Sequence, residues 1–302
     1  MSASIMVLGL LLQLADSLPP KPPPPPAALR SRIGAYLSGT DTIFVYEDQG
    51  ALFARVDSLS LPLAGKSDSV LALWSRLSLG PADGGQLRIS PVRPVAQLLV
   101  EDRSLTPPAE SGSFVPSDLV EPAGLDPTIH LDIRYATTNN FLSSVFYSSA
   151  HAFLQRPAAL ALVRASAALR GLGYGLLIHD AYRPWYITKV FWDATPPASR
   201  WLVADPSKGS KHNRGAAVDI TLYDLKTGAP IEMPSTYDEA TSRAYADFLG
   251  GTSLQRWHRA LLRRMLEREG FTVNPSEWWH FDFQGWARYP ILNIPFEQLL
   301  RP

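Results

Sequence analysis

The chain has 302 residues, 46% hydrophobic and 19% charged, a balance that supports a buried core in one large or two modest domains. Its 28 basic and 28 acidic residues cancel, so no overall charge draws it to nucleic acid or to an acidic membrane surface. Cysteine is absent, which excludes disulfides, cysteine nucleophiles and thiolate metal sites; any metal must be held by nitrogen and oxygen donors.

In chain order, residues 5–15, IMVLGLLLQLA, form an apolar run too short to cross a bilayer as a helix. Within a segment of residues 1–17 it resembles the apolar part of a secretory signal, although no Lys or Arg precedes it and no clean A-x-A site follows. The expectation is export to a periplasmic or extracellular space, with no transmembrane span. Residues 18–28, LPPKPPPPPAA, read as a stiff polyproline spacer. From 29 to 104, short alternating runs (TIFVYED, ALFARVD, LSLPLAG, GQLRISP, AQLLVED) separated by turn residues predict a small, mostly antiparallel β domain. It contains no histidine and offers no chemistry. Residues 105–118, LTPPAESGSFVPSD, read as a second linker.

Residues 119–302 mix long helices with apolar strands without a regular βαβ alternation, which argues an α+β fold. RPAALALVRASAALRG predicts a helix with Pro157 near its start and Gly171 as its stop, and with Leu160, Val163, Ala167 and Ala168 on one side. YGLLIHDAYRP predicts a buried strand ended by Pro184, WYITKVFWDA a second helix, and GAAVDITLYD a strand. SLQRWHRALLRRMLEREG predicts a helix stopped by Gly270, whose arginines at 256, 259, 263, 264 and 268 read as a solvated face.

Two of the six histidines keep unusual company. His212 stands seven residues before Asp219 in SKHNRGAAVDITL, and in that strand Val218, Ile220 and Leu222 alternate with Asp219 and Thr221. Fully extended, the segment would separate His212 from Asp219 by roughly 23 Å. The intervening NRG tolerates a reversal that brings them together. PSEWWHFDFQGW, residues 275–286, adds His280, with Glu277 three residues before it. Two imidazoles and a carboxylate suit zinc and leave one tetrahedral position for water, with Glu277 near enough in sequence to serve as base. The intervening tryptophans would exclude solvent. Each motif alone also reads as ordinary structure: a hydrogen-bonded His–Asp pair, and an aromatic core segment. Arg183, at a strand end before a proline, suits charge developing on an oxyanion. It equally suits an ion pair with Asp180. His179 is a rival ligand by position.

SKHNRGAAVDI followed some sixty residues later by EWWHF resembles the zinc D-alanyl-D-alanine dipeptidases, the group that includes vancomycin-resistance dipeptidases. That group belongs to a wider fold family with D-Ala-D-Ala carboxypeptidases, lysostaphin-type endopeptidases and the hedgehog signalling domain. LDPTIHLDIRYATTNNF (125–141), DAYRP (180–184) and MPSTYDEAT (233–241) extend the resemblance across about 120–302. It implies a central antiparallel sheet flanked by helices. One zinc ion would be held by His212, Asp219 and His280, with Glu277 as catalytic base and Arg183 as oxyanion stabiliser. Ser210 matches the family's S-x-H and, with Asp180, is the candidate contact to a small D-amino-acid dipeptide. His179 matches no family motif. After NNF the chain reads LSSVFYSSAHAF where the family commonly has a glycine-containing turn, and the N-terminal β domain is extra. The implied activity is hydrolysis of D-alanyl-D-alanine. The alternatives are a D,D-carboxypeptidase or endopeptidase acting on longer peptidoglycan peptides, and a zinc-containing binding module without turnover.

Overall fold

A computed structural model describes residues 18–38, 41–56, 58–63 and 85–300. The export segment read in residues 1–17 lies outside the described residues, as does part of the stretch read as a β domain. By its contacts the chain divides into two compact units, residues 1–85 with 232–261 and residues 86–231 with 262–302.

In the first unit, β1 (Gly34–Ser38), β2 (Asp41–Asp48), β3 (Ala51–Val56) and β4 (Leu59–Pro62) form an antiparallel meander in that order. Alternation decides its buried face: Ile43 and Val45 of β2 and Leu52 and Ala54 of β3 join Tyr36 and Leu63 in one cluster. Residues 232–261 are tied to this sheet in part through the buried Glu47. Its carboxylate accepts hydrogen bonds from the Ser253 amide (2.9 Å) and hydroxyl at the head of helix α4 (Ser253–Arg268), where a negative charge is favoured. Arg256 pairs with Asp48 at 2.9 Å, and Arg259 is buried with its guanidinium on the carbonyls of Tyr245 and Phe248. These two arginines therefore depart from the solvated face expected of them; long aliphatic stems allow burial once the head finds acceptors.

The sequence reading of 85–104 as two strands is also corrected. GQLRISP has no strand structure, and AQLLVED lies in a helix, α1 (Val95–Asp102), which follows Pro94 and buries Val95, Leu98 and Asp102 at helical spacing. Residues 105–118 are tied down along their length. Glu110 accepts from the Ile291 amide (2.6 Å) and pairs with Arg214, and the Val115 amide donates to the Arg288 carbonyl.

The second unit is α+β. Short strands β5 (Leu119–Val120) and β7 (Leu154–Gln155) pair with each other. The main sheet runs β10-β11-β9-β8-β6, with β6 Ile129–Leu131, β8 Tyr174–Asp180, β9 Ala217–Asp224, β10 Phe271–Asn274 and β11 Glu277–Phe283. All neighbours are antiparallel except β6 and β8, so the sheet is mixed rather than antiparallel throughout. The crossover between those two strands runs through α2 (Arg156–Arg170), the length of connection that a parallel pair needs. That helix buries Ala158, Ala161, Leu162, Ala165 and Leu169, whereas Leu160 is 43% exposed; the face expected from Leu160 and Val163 is the wrong one. Alanine supplies most of the true face, and a stripe of small residues leaves a weak hydrophobic signal. α3 (Trp185–Ala194) follows Pro184 and buries Ile187, Val190 and Phe191. β8 is buried along its whole length, and β9 in all but its last residue, so their polar residues must find partners inside the protein.

Candidate metal centre

Register places the first two donors. Asp219 of β9 and His280 of β11 are direct partners across an antiparallel pair, which sets their side chains on one face of the sheet. His212 arrives from outside the sheet. Residues His212–Arg214 form one turn of 3-10 helix, and Gly215, at φ 64°, takes the left-handed conformation that reverses the chain into β9. A Cβ at Gly215 would also lie 2.4 Å from Leu119 Cδ2, the end of a flexible side chain that would have to move aside, so the backbone conformation is the main demand for glycine. Asn213 is fully buried and fixes the turn. Its amide donates to the Arg183 carbonyl and the Thr188 hydroxyl, both at 2.8 Å, and its oxygen accepts from the Ser210 amide at 2.7 Å.

Three atoms converge. His280 Nδ1 lies 2.9 Å from Asp219 Oδ1 and 3.1 Å from His212 Nε2, and His212 Nε2 lies 3.4 Å from Asp219 Oδ1. Four donors around zinc at 2.0–2.1 Å stand roughly 3.3 Å from one another, so this triangle has the dimensions of one face of a tetrahedral site. Among the described residues it is the one group of three or more such side chains close enough to share an ion. Both imidazoles are oriented for ligation. His212 Nδ1 faces the Ala181 carbonyl at 2.6 Å, so it carries the proton and frees Nε2 for the site. His280 Nε2 faces Asp282 Oδ1 at 3.0 Å, which frees Nδ1 in the same way. The other oxygen of Asp282 pairs with Lys211 at 2.5 Å, joining the His212 turn to strand β11.

The electrostatics agree. Burial disfavours a charged His280, yet its hydrogen bonds to Asp219 and Asp282 and their charges push the imidazole up to about 10. Burial likewise opposes ionisation of Asp219, and His212 and His280 outweigh it, holding the carboxylate well below its ordinary range. Positive charge is favoured at this point of the molecule.

Glu277 begins β11, three residues from His280. Its Oε2 lies 3.9 Å from His280 Nδ1 and accepts a hydrogen bond from the Asn274 amide at 3.0 Å. Its side chain is 38% exposed, so the carboxylate borders the donors while keeping an open side. Surrounding protein raises its pKa, with Asp219 adding to the shift and His280, His212 and Arg183 opposing it. Trp278 and Trp279 are both buried.

Arg183 and Asp180 form a buried pair beside the turn. Asp180 Oδ2 accepts from Arg183 Nε (3.1 Å) and from one terminal nitrogen (2.7 Å), and Oδ1 accepts from the Tyr147 hydroxyl at 2.8 Å. The guanidinium lies over the rings of Phe191 (4.8 Å) and Tyr135 (5.2 Å), and the Arg183 amide donates to the His212 carbonyl. Of the two readings of Arg183, the ion pair with Asp180 is the one observed, and its backbone ties it to the turn that carries His212. Ser210 makes local bonds, its hydroxyl accepting from the His212 amide at 3.2 Å.

His179 is excluded from the donor group by a β-bulge. Ile178 pairs with Ile220, and regular register would set His179 opposite Asp219; instead Asp180 takes that place. His179 faces Asp132 and Arg134, 3.4 Å from each. Lys211, Asp282, Asn213 and Tyr147 were not legible as site residues. Only the spacing of Asp282 two residues beyond His280, on the same strand face, hinted at any of them.

The sequence profile of the D-Ala-D-Ala dipeptidase family matches residues 116–296. The D-alanyl-D-alanine dipeptidase of Escherichia coli K12 is 32% identical over 186 residues, covering 62% of this chain and 95% of that protein. Enzymes of the same name from Enterococcus faecalis (32% over 178 residues, 52% of this chain and 88% of the relative) and Streptomyces coelicolor (30% over 171, 51% and 85%) are also similar to this chain. With more than half its length matched, and its three donors meeting inside the matched span, the chain belongs to the D-Ala-D-Ala dipeptidase family of peptidases.

Proposed function

We propose that the protein is a zinc-dependent dipeptidase that hydrolyses D-alanyl-D-alanine, with His212, Asp219 and His280 as metal ligands and Glu277 as general base. The observation that carries this reading is the donor triangle, whose sides of 2.9, 3.1 and 3.4 Å suit one face of a tetrahedral site. Three protein donors leave a fourth position open, as in hydrolytic rather than structural zinc sites. When bound there, zinc supplies a Lewis acid that polarises the scissile carbonyl and lowers the pKa of water to about 7.

The protein's own groups do the rest. Glu277 takes the proton of the attacking water on its carboxylate and returns it to the departing amine, which balances the hydrolysis. Its raised pKa suits a group that must both accept and release a proton near neutrality. Arg183 provides a fixed positive charge for the oxygen on which negative charge develops; of its nitrogens, Nε and one terminal nitrogen are committed to Asp180. Asp180 therefore acts on that oxygen through Arg183. Ser210 is a candidate contact to the dipeptide. The names of the relatives support the substrate. Export, read from residues 5–15, would place the reaction in the cell envelope.

The test is metal analysis paired with a substrate panel of D-Ala-D-Ala, L-Ala-L-Ala and a pentapeptide stem ending in D-Ala-D-Ala. One zinc per chain and cleavage of the free D,D-dipeptide alone are expected. Cleavage of the stem but not the dipeptide would reassign the enzyme to carboxypeptidase chemistry. Stoichiometric zinc with no turnover of any member would make it a binding module.

A further inference from the structure

We propose that Asn274 is a positioning residue for Glu277, and that the tight turn Asn274-Pro275-Ser276-Glu277 is built to hold the general base at the edge of the metal centre. The proposal rests on the reading of Glu277 as that base. Asn274 ends β10 and Glu277 begins β11, and the two are register partners across a hairpin with a bulge between Val273 and Asn274. Asn at the first turn position and Pro at the second are the residues that a type I turn favours.

The side chain of Asn274 works in two directions. Its oxygen accepts from the Ser276 amide at 3.1 Å and from the Ser276 hydroxyl at 3.0 Å, an Asx turn that fixes the plane of the amide. With the oxygen so engaged, the NH2 group must face the other way. There it donates to Glu277 Oε2 at 3.0 Å. That oxygen is also the one 3.9 Å from His280 Nδ1. A glutamate side chain 38% exposed would otherwise sample several rotamers, each swinging its carboxylate away from the donors. One neutral donor, itself locked by the backbone of the turn, selects the orientation in which the carboxylate borders the site. Because the donor carries no charge, it orients the base without neutralising it.

The two functions of Asn274 separate cleanly by substitution. Asn274→Asp keeps the acceptor that Ser276 uses, and so keeps the turn, but sets a second carboxylate oxygen against Glu277 Oε2 in place of the donor, which drives the Glu277 carboxylate out of its held orientation. For this variant we expect unchanged zinc stoichiometry, a Tm close to the parent's, and a kcat for D-Ala-D-Ala lowered tenfold or more with KM little altered. Ser276→Ala removes one of the two bonds that lock the amide and should lower kcat less, again at constant KM. Glu277→Gln, assayed alongside, tests the base itself. If Glu277→Gln abolishes turnover while Asn274→Asp leaves kcat at the parent value, the positioning role is wrong and the base assignment stands. If Glu277→Gln retains turnover, the base assignment falls first. A loss of kcat in Asn274→Asp that comes with lost zinc or a lowered Tm would make Asn274 a structural turn residue and overturn the proposal.

Discussion

Nε2 of His280 lies 3.0 Å from Oδ1 of Asp282, so a carboxylate two residues along the same strand decides which imidazole nitrogen faces Asp219 and His212. Lys211 holds the other oxygen of that carboxylate. The pair joins the two segments that carry histidine donors, and it makes His280 a stronger base towards a metal.

Asp282→Asn should weaken zinc binding about 10- to 100-fold, the usual effect of losing such a partner. Competition with a chromogenic chelator measures it directly, independently of turnover. Parent-like zinc affinity in the variant would show that Asp282 does not orient the ligand. Lys211→Met removes only the second link and should have a smaller effect of the same sign.

Asp180→Ala strands the guanidinium of Arg183, which is only 7% exposed. Breaking a buried ion pair from one side costs about 3–5 kcal/mol, and denaturant unfolding of the zinc-loaded protein should show a loss of that order. Tyr147→Phe removes one hydrogen bond from Asp180 and should cost about 1–2 kcal/mol. Equal effects from the two substitutions would mean that the pair with Arg183 is not what stabilises this region.

His258, in the first unit, gives a dependence on pH. Burial, helped by Lys21, depresses its pKa from 6.5 to about 4. Above pH 6.5 the imidazole is neutral in both folded and unfolded chains and contributes nothing to the slope. As pH falls from 6.5 to 4 the unfolded chain binds a proton that the folded chain refuses, so stability drops by up to roughly 3 kcal/mol. Urea unfolding at pH 7 and pH 4.5 should show this loss in the parent and not in His258→Gln. Identical slopes in the two proteins would contradict it.

Ser143 adopts φ 50°, left-handed backbone that a non-glycine residue enters at a cost. It stands in the LSS stretch, where the resemblance leads one to expect a glycine-containing turn. Ser143→Gly should stabilise by up to about 1 kcal/mol, less the exposed hydrogen bond that its hydroxyl accepts from Arg88. Thermal unfolding checks the sign; a lowered Tm would mean that the Arg88 contact outweighs the strain.

Where local chemistry decides structure, the sequence was readable. The strands ending at Asp180 and at Asp224, helix α3 after Pro184 and the reversal at His212–Gly215 follow from apolar runs, proline and glycine. Where small residues or neighbours decide, it misled. Alanines hid the buried face of α2, a helix of eight residues at Val95–Asp102 passed for a strand, and β6 joined the sheet in parallel because α2 carries the chain back across.

The same division runs through the candidate metal centre. An absence of cysteine limited the donors to nitrogen and oxygen, and the motifs around His212, Asp219, Glu277 and His280 named the candidates, because residue type fixes donor chemistry and short-range turns fix local direction. Only the tertiary structure decided that Asp180 rather than His179 stands opposite Asp219, that Asp282 and Ala181 set the two imidazole tautomers, and that Asn274 grips Glu277. A bulge changes which residue faces the site without leaving a mark in the alternation. Hydrogen-bond partners, likewise, are chosen by which strands and turns become neighbours in space.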